Sequence, residues 1–213
     1  MNPHRVLLAD DHAIILEGLR RILEPHFEIV GEEADGHALV DAAGTLQPGI
    51  IVADISMPLL NGIDAARQIR KFDQKVKIVF LTMHPDVTYA AEALAAGGSG
   101  YVLKSSAGIE IVEAIREALM GRVYITPSID KVLVLAQMER AGHARDADSE
   151  ITGRQREVVQ LLGEGKSLKE AAAILNISIR TVEFHKYQVM KQLGIRSNAE
   201  LTKYAIKLGV TPL

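Results

Sequence analysis

Ile50-Ile51-Val52-Ala53-Asp54-Ile55-Ser56-Met57-Pro58 is the stretch on which the reading of this chain turns. Four apolar residues run directly into one carboxylate, and a Pro-bearing loop closed by Asn61-Gly62 follows. An unbroken Ile/Val run suits a strand buried on both faces, as in a parallel sheet. Asp54 then lies at the carboxyl end of that strand, where open α/β sheets place their ligands. Two readings compete: Asp54 is a nucleophile that accepts a phosphoryl group, or it merely caps or hydrogen-bonds the next loop. An isolated strand-end Asp favours the plain reading. Its company decides.

Working outward, apolar strand-like runs recur at Arg5–Asp10, Phe27–Glu33, Ile50–Asp54, Lys77–Met83 and Gly100–Lys104. Helical patterns fill the intervals at about 13–24, 36–46, 62–72, 86–96 and 107–120, with Gly97-Gly98 and Gly121 as stops. Five strands alternating with five helices predict a doubly wound parallel sheet covered on both faces. The strand ends then share one rim and bring together Asp10-Asp11, Asp54, Thr82 and Lys104. Three carboxylates cannot all ionise side by side unless a cation compensates. Oxygen ligands without a thiolate select a hard ion such as Mg²⁺, which also bridges phosphate oxygens. Attack of a carboxylate on phosphorus gives an acyl phosphate, with Lys104 neutralising charge on the transferring oxygens. Singly, each residue has a bland role: Asp10 or Asp11 caps the helix beginning near Ala13, Thr82 is a strand residue, and Lys104 is a solvated strand end. All of them at matching strand ends are hard to ascribe to accident.

Asp10-Asp11, Asp54 with Met57-Pro58 and Gly62, Thr82, and Tyr101-Val-Leu-Lys104 resemble the receiver domain of two-component response regulators. The resemblance spans about residues 3–122 and implies a flavodoxin-like fold. It implies that Asp54 is the phosphoacceptor and that a histidine kinase's phosphohistidine is the donor. It further implies that Asp11, Asp54 and the Ser56 backbone carbonyl bind Mg²⁺, with Asp10 helping through water. Thr82 and Lys104 would grip the phosphoryl group, and Tyr101 would swing inward as Thr82 moves. Ser105 stands where many receivers have proline, so no cis peptide is implied there.

Composition agrees with a globular chain: 213 residues, 48% hydrophobic and 24% charged, with no cysteine. That excludes disulfides and thiolate chemistry. No apolar run approaches the roughly 18 residues of a membrane span, and Met1-Asn2-Pro3-His4-Arg5 lacks a signal-peptide layout. The expectation is a cytoplasmic protein. Net charge is −3, but residues 1–125 carry 11 Lys and Arg against 17 Asp and Glu, whereas residues 149–213 carry 10 against 6. A basic last part fits a polyanionic partner. A nucleotide-dependent enzyme would want a Gly-rich turn after the first strand, where this chain has Asp10-Asp11-His12-Ala13.

Residues 123–148 read as a linker. Thr126-Pro127 opens a helix with Pro127 at its first position, and Ile129, Val132, Leu133, Leu135 and Ala136 share an apolar side over 128–140. A polar connector, Gly142 to Ser149, follows. Thr152-x-x-Gln155, Ser167-x-x-Glu170 and Ser197-x-x-Glu200 are each capping boxes, and Ser178 is a fourth N-cap. With stops at Gly163, Asn176, Gly194 and Gly209, they predict helices near 153–162, 168–175, 179–193 and 198–208. The middle pair, joined by Asn176-Ile177-Ser178, has a helix-turn-helix spacing. Val182, Val189 and Leu193 face inward. That leaves Arg180, Glu183, Phe184, Lys186, Tyr187 and Lys191 to meet DNA, or else to form a protein-interaction face.

Glu157-Val, Gly165-Lys-Ser167, Lys169-Glu170, Ser178-x-Arg180-Thr181-Val182-x-x-His185 and Leu193-Gly194 resemble the LuxR-type DNA-binding domain over about 149–211. The resemblance implies that Lys169, Thr181 and the outward residues of helix 179–193 contact promoter DNA and that helix 198–208 helps dimerise. His185 reads as a buried hydrogen-bonding residue rather than a base reader. Many relatives carry Lys where Glu183 stands, which implies a different base preference. Ala171 replaces a bulkier aliphatic. The expected architecture is a five-stranded α/β receiver over 1–122, a linker over 123–148 and a four-helix domain over 149–213. Together the resemblances imply a NarL/FixJ-like regulator, not an enzyme, that forms homodimers when Asp54 is phosphorylated. A regulator that binds DNA with no phosphorylation, its receiver a docking surface, is the alternative.

Overall fold

The computed structural model describes residues 4–144 and 151–208. Its sheet is formed by β1 (Arg5–Ala9), β2 (Glu28–Glu33), β3 (Ile50–Asp54), β4 (Lys77–Thr82), β5 (Gly100–Leu103) and β6 (Tyr124–Ile125). Every pairing is parallel and the strand order is β2-β1-β3-β4-β5-β6. The sixth strand exceeds the five expected. Tyr124 and Ile125 pair beside Gly100 and Tyr101, so a segment read as part of the linker extends the sheet. Two residues are too short to carry a strand pattern.

Period-two alternation distributes the core. Val6, Leu8, Ile50, Val52, Val79, Leu81 and Val102 face α1 (Ala13–Leu23) and α5 (Ala107–Leu119). Leu7, Ala9, Ile51, Ala53, Ile78, Phe80 and Tyr101 face α2 (Gly36–Leu46), α3 (Gly62–Ile69) and α4 (Val87–Ala95). All five residues of β3 are buried, as a central strand covered on both faces requires.

The linker helix, α6 (Lys131–Ala144), packs on α4 with a different face from the one expected. Pro127 lies in a turn, and Asp130 caps the helix by accepting the Val132 and Leu133 amides. Ile129 therefore precedes the helix and is out of phase with the residues after it. Ile129, Val134 and Met138 join the receiver core, while Val132, Leu133 and Leu135 are exposed.

Four helices follow: α7 (Gly153–Gly163), α8 (Leu168–Ile174), α9 (Ile179–Gln192) and α10 (Asn198–Lys207). The Thr152 and Ser167 capping boxes form in both directions. At α10 only half the box forms: Ser197 accepts the Glu200 amide, but Glu200 accepts the Arg196 amide instead of Ser197's. α7 is terminated by Gly165 at φ +82°, two residues beyond the Gly163 stop expected. Gly209 lies outside the described residues.

Candidate functional site

The carboxyl ends of the strands converge as the alternation requires. Asp54 ends β3, Thr82 ends β4, and Asp10 and Lys104 each follow the last residue of a strand. Asp10, Asp54 and Thr82 are buried, and the Lys104 ammonium bridges the first two. Lys104 Nζ is 2.8 Å from Asp54 Oδ2 and 2.6 Å from Asp10 Oδ2. Burial raises the Asp54 pKa, against the hydrogen bond and charge of Lys104. The Lys104 pKa is also raised: burial lowers it, but bonds to Asp10 and Asp54 prevail. Lys104 favours the charged form of Asp54, and the two carboxylates favour the charged form of Lys104.

Asp10, Asp11, His12 and Asp54 offer ligand atoms that all lie within 4.8 Å of one another. Asp10 does not cap α1; its Oδ1 accepts the His12 amide, and His12 occupies the cap position with no side-chain cap bond. Asp10 Oδ2 is buried beside the Lys104 ammonium, and the Asp10, Asp11 and Asp54 oxygens form a hard donor set that a divalent cation fits. Three carboxyl groups share one ammonium there. His12, 2.8 Å from Asp11, was not anticipated as part of this cluster.

Behind the rim a hydrogen-bonded chain links three elements. Thr82 Oγ1 accepts the His84 amide, and the His84 carbonyl accepts the hydroxyl of Tyr101 at 2.7 Å. Tyr101 is fully buried, and burial drives its pKa well above the usual phenol value. The His84 ring stacks on Tyr89 and lies 3.2 Å from Ser56 Oγ. The loop from Ile55 is tight: Gly62 N donates to the Ile55 carbonyl, and a Cβ on Gly62 would lie 2.1 Å from the Asp54 carbonyl oxygen.

That loop is also gripped from the C-terminal helices, which the sequence did not announce. Gln160 of α7 is fully buried. Its Oε1 accepts from the Asn61 amide (2.9 Å) and Asn61 Nδ2 (3.2 Å), and its Nε2 donates to the Met57 carbonyl (3.0 Å) and to Glu164 (2.8 Å). Glu164 accepts the Leu59 amide at 3.1 Å, and burial raises its pKa despite that bond. Arg156 donates to Asp64, Gln68 donates to Glu157, and Leu59 packs into the α7–α8–α9 core.

On α9, Val182 and Val189 are buried and Leu193 packs beneath. Arg180, Glu183, Phe184, Tyr187 and Lys191 are exposed, as is Lys169 on α8; Lys186 is half-buried. Thr181 is half-buried, its hydroxyl 2.8 Å from that of Ser178. His185 is not the buried hydrogen-bonding residue expected; it is half-buried and edge-on to Phe184. No ion pair involves the α9 face among the described residues, so its charges are free to meet a partner.

Comparison with known proteins agrees with this geometry. The family described as "Response regulator receiver domain" matches residues 6–116, and "Bacterial regulatory proteins, luxR family" matches residues 149–205. Response regulator UvrY of Escherichia coli K12 is 33% identical over 207 residues, covering 96% of this chain and 94% of its own. Oxygen regulatory protein NreC of Staphylococcus carnosus is 31% identical, with 95% and 97% covered. Among solved structures, RcsB of Salmonella typhimurium matches with a TM-score of 0.66 at 29% identity over the full length of both chains. RcsB bound to a promoter with the phosphomimetic BeF3⁻ matches with a TM-score of 0.62 at 27% identity, covering 97% and 100%. The chain belongs to the two-component response regulators that carry a LuxR-type DNA-binding domain. It is a DNA-binding transcription regulator and not an enzyme. No helix among the described residues is long and apolar enough to cross a membrane.

Proposed function

We propose that Asp54 accepts a phosphoryl group from the phosphohistidine of a sensor histidine kinase, and that this event controls dimerisation and promoter binding in the cytoplasm. One observation carries the reading: the Lys104 ammonium joins two buried carboxylates at a rim that also holds Thr82. Lys104 and the Ser56 amide orient the Asp54 carboxylate, one oxygen of which attacks phosphorus. The new O–P bond forms as the donor's P–N bond breaks, and the bonding pair stays with the imidazole. The product is an acyl phosphate. Lys104 neutralises the incoming oxygens and Thr82 donates its hydroxyl to them. Tyr101, tied to Thr82 through His84, registers the movement. Asp10, Asp11, Asp54 and the Ser56 carbonyl would hold Mg²⁺, which when bound supplies charge neutralisation for the phosphoryl oxygens. The division into 1–122, 123–148 and 149–213 belongs to this reading, with Tyr124-Ile125 of the middle segment paired on β5 and its helix packed on α4.

On the output side, α9 enters the major groove. Arg180, Lys186, Lys191 and Lys169 meet phosphates; Phe184 and Tyr187 offer apolar contact to thymine methyls; Thr181 steadies the helix start. Glu183 is an exposed carboxylate facing a polyanion, and its compatible major-groove partner is the cytosine amino group. Two copies on paired half-sites form the binding unit, with α10 contributing to dimerisation.

The test compares wild type with Asp54→Asn for DNA binding and solution mass, with and without Mg²⁺ and a small phosphodonor. The expected result is a donor-dependent gain in dimerisation or DNA affinity that Asp54→Asn lacks. Equal binding in all conditions would reduce the receiver to a docking module.

A further inference from the structure

We infer that His12 is a direct ligand in the acidic pocket, and that the pocket therefore takes a borderline first-row divalent ion, of the Fe²⁺, Ni²⁺ or Zn²⁺ class, in preference to Mg²⁺. This rests on the cation-pocket reading above and changes the class of ion bound there. Asp10, Asp11, His12 and Asp54 each offer one donor atom, and these atoms lie within 4.8 Å of one another. His12 Nδ1 is 2.8 Å from Asp11 Oδ1 and 3.2 Å from Asp10 Oδ1. Neighbouring donors at right angles around an ion with bonds of about 2.1 Å are roughly 3 Å apart, and the two distances bracket that spacing.

Asp10 divides its carboxylate between two neighbours. Its Oδ2 meets the Lys104 ammonium at 2.6 Å, as Asp54 Oδ2 does at 2.8 Å, whereas its Oδ1 faces His12. The ammonium thus serves the buried side of the pocket. Asp10 Oδ1, Asp11 and His12 form the other side, which is open. The His12 side chain is 62% exposed and that of Asp11 32%, so an ion has a path in from solvent.

The place of His12 in the fold is an independent indication. It is the N-cap residue of α1, where Ser, Thr, Asp or Asn would accept a first-turn amide, yet its side chain makes no cap bond. The helix forgoes that stabilisation, and the ring is turned onto the two carboxylates instead. In the tautomer with its proton on Nε2, the imidazole directs the Nδ1 lone pair at two carboxylate oxygens, an arrangement that is repulsive until a cation joins the three donors. Carboxylate oxygens suit Mg²⁺, whereas imidazole suits Fe²⁺, Ni²⁺ and Zn²⁺, so one nitrogen in a set of oxygens shifts the preference. An Nδ1–H donated to Asp11 would span the same 2.8 Å and only brace that carboxylate. Such a brace serves every divalent ion alike, and that difference separates the two arrangements.

The experiment titrates the full chain with Mg²⁺ and with Zn²⁺ by isothermal calorimetry, in wild type, His12→Asn and Asp54→Asn, and follows the imidazole nitrogens by ¹⁵N NMR. Asn retains a donor for bracing and is favoured at an N-cap, so lost binding in His12→Asn is not lost folding. Zn²⁺ affinity at the Asp54-dependent site should fall at least about tenfold in His12→Asn, because even a group that only orients a ligand is worth about that much. Mg²⁺ affinity should stay nearly unchanged. In wild type, Zn²⁺ should shift the Nδ1 resonance of the imidazole that is missing from the His12→Asn spectrum. Equal losses for the two ions, or a Zn²⁺ affinity that His12→Asn leaves unchanged, overturn the inference and leave an all-oxygen Mg²⁺ pocket. Zn²⁺ binding that Asp54→Asn does not weaken puts the ion elsewhere and overturns it too. If Mg²⁺ binding is equally indifferent to Asp54→Asn, the cation-pocket reading falls as well.

Discussion

Replacing Lys104 by Met keeps the length of the stem and removes the ammonium that joins two buried carboxylates. The Asp10 side chain is 0% exposed and that of Asp54 is 4% exposed, so neither can recruit water in place of the lost cation. Removing one partner of a buried ion pair costs about 3–5 kcal/mol, and two carboxylates lose the same partner here, which places Lys104→Met toward about 5 kcal/mol near neutral pH. The cost depends on pH. Asp54 already titrates above its ordinary 3.8 because it is buried, with Lys104 opposing the rise. Without Lys104 the folded-state pKa climbs further, so the folded chain binds a proton that the unfolded chain releases. The stability held by that proton is fully present below the unfolded pKa and lost as pH rises through the folded one. Each further unit of displacement adds about 1.4 kcal/mol to the deficit at high pH. Urea unfolding followed by circular dichroism, at about pH 5 and about pH 8 without divalent cation, should show a deficit that is larger at the higher pH. Mg²⁺ should recover part of it by binding only the folded acidic cluster. A Lys104→Met chain as stable as wild type at the higher pH, or a deficit that does not change with pH, would refute the argument that the ammonium holds these charges in place.

The other predictions concern packing and DNA. Gly62→Ala forces the Asp54–Gly62 backbone apart, because the new methyl would meet the Asp54 carbonyl at 2.1 Å; a loss of about 1–3 kcal/mol in thermal unfolding is expected, and an unchanged transition would show that the loop has slack. Val134→Ala opens a void between α6 and α4 and should cost about 2 kcal/mol, whereas Val132→Ala, on the exposed side, should stay within about 0.5 kcal/mol; equal effects would contradict the observed face of α6. Glu183→Lys adds a phosphate-seeking cation to the exposed face of α9. Its DNA affinity should fall more steeply with salt, by about 0.9 in the log–log slope, and selected sites should lose their cytosine preference; an unchanged slope and unchanged sites would remove Glu183 from the interface.

Much of the receiver and its rim was legible in the chain because the signals are local. Strand periodicity placed Asp54, Thr82 and Lys104 at strand ends, and parallel connectivity carried those ends to one edge. Thr152-x-x-Gln155 and Ser167-x-x-Glu170 announced helix starts through bonds spanning three residues. The misreadings were local conflicts settled by geometry. Asp130 supplied a better cap than Pro127 a start, which turned Val134 rather than Val132 inward. Glu200 found the Arg196 amide within reach and left the Ser197 box half made.

Sequence alone determined the first five strands of the sheet, the acidic rim with its lysine, the helix-turn-helix spacing and the families these define, since each follows from residue pattern and short-range hydrogen bonding. Only the tertiary structure decided that residues after α5 add a strand and a helix to the receiver, that Tyr101 lies buried against the His84 carbonyl, and that Gln160 closes on a loop 99 residues away. A glutamine on a helix reads as solvent-facing until another surface supplies complementary groups, here three of its four partners. That complementarity belongs to two distant segments at once, and no local pattern in either one records it.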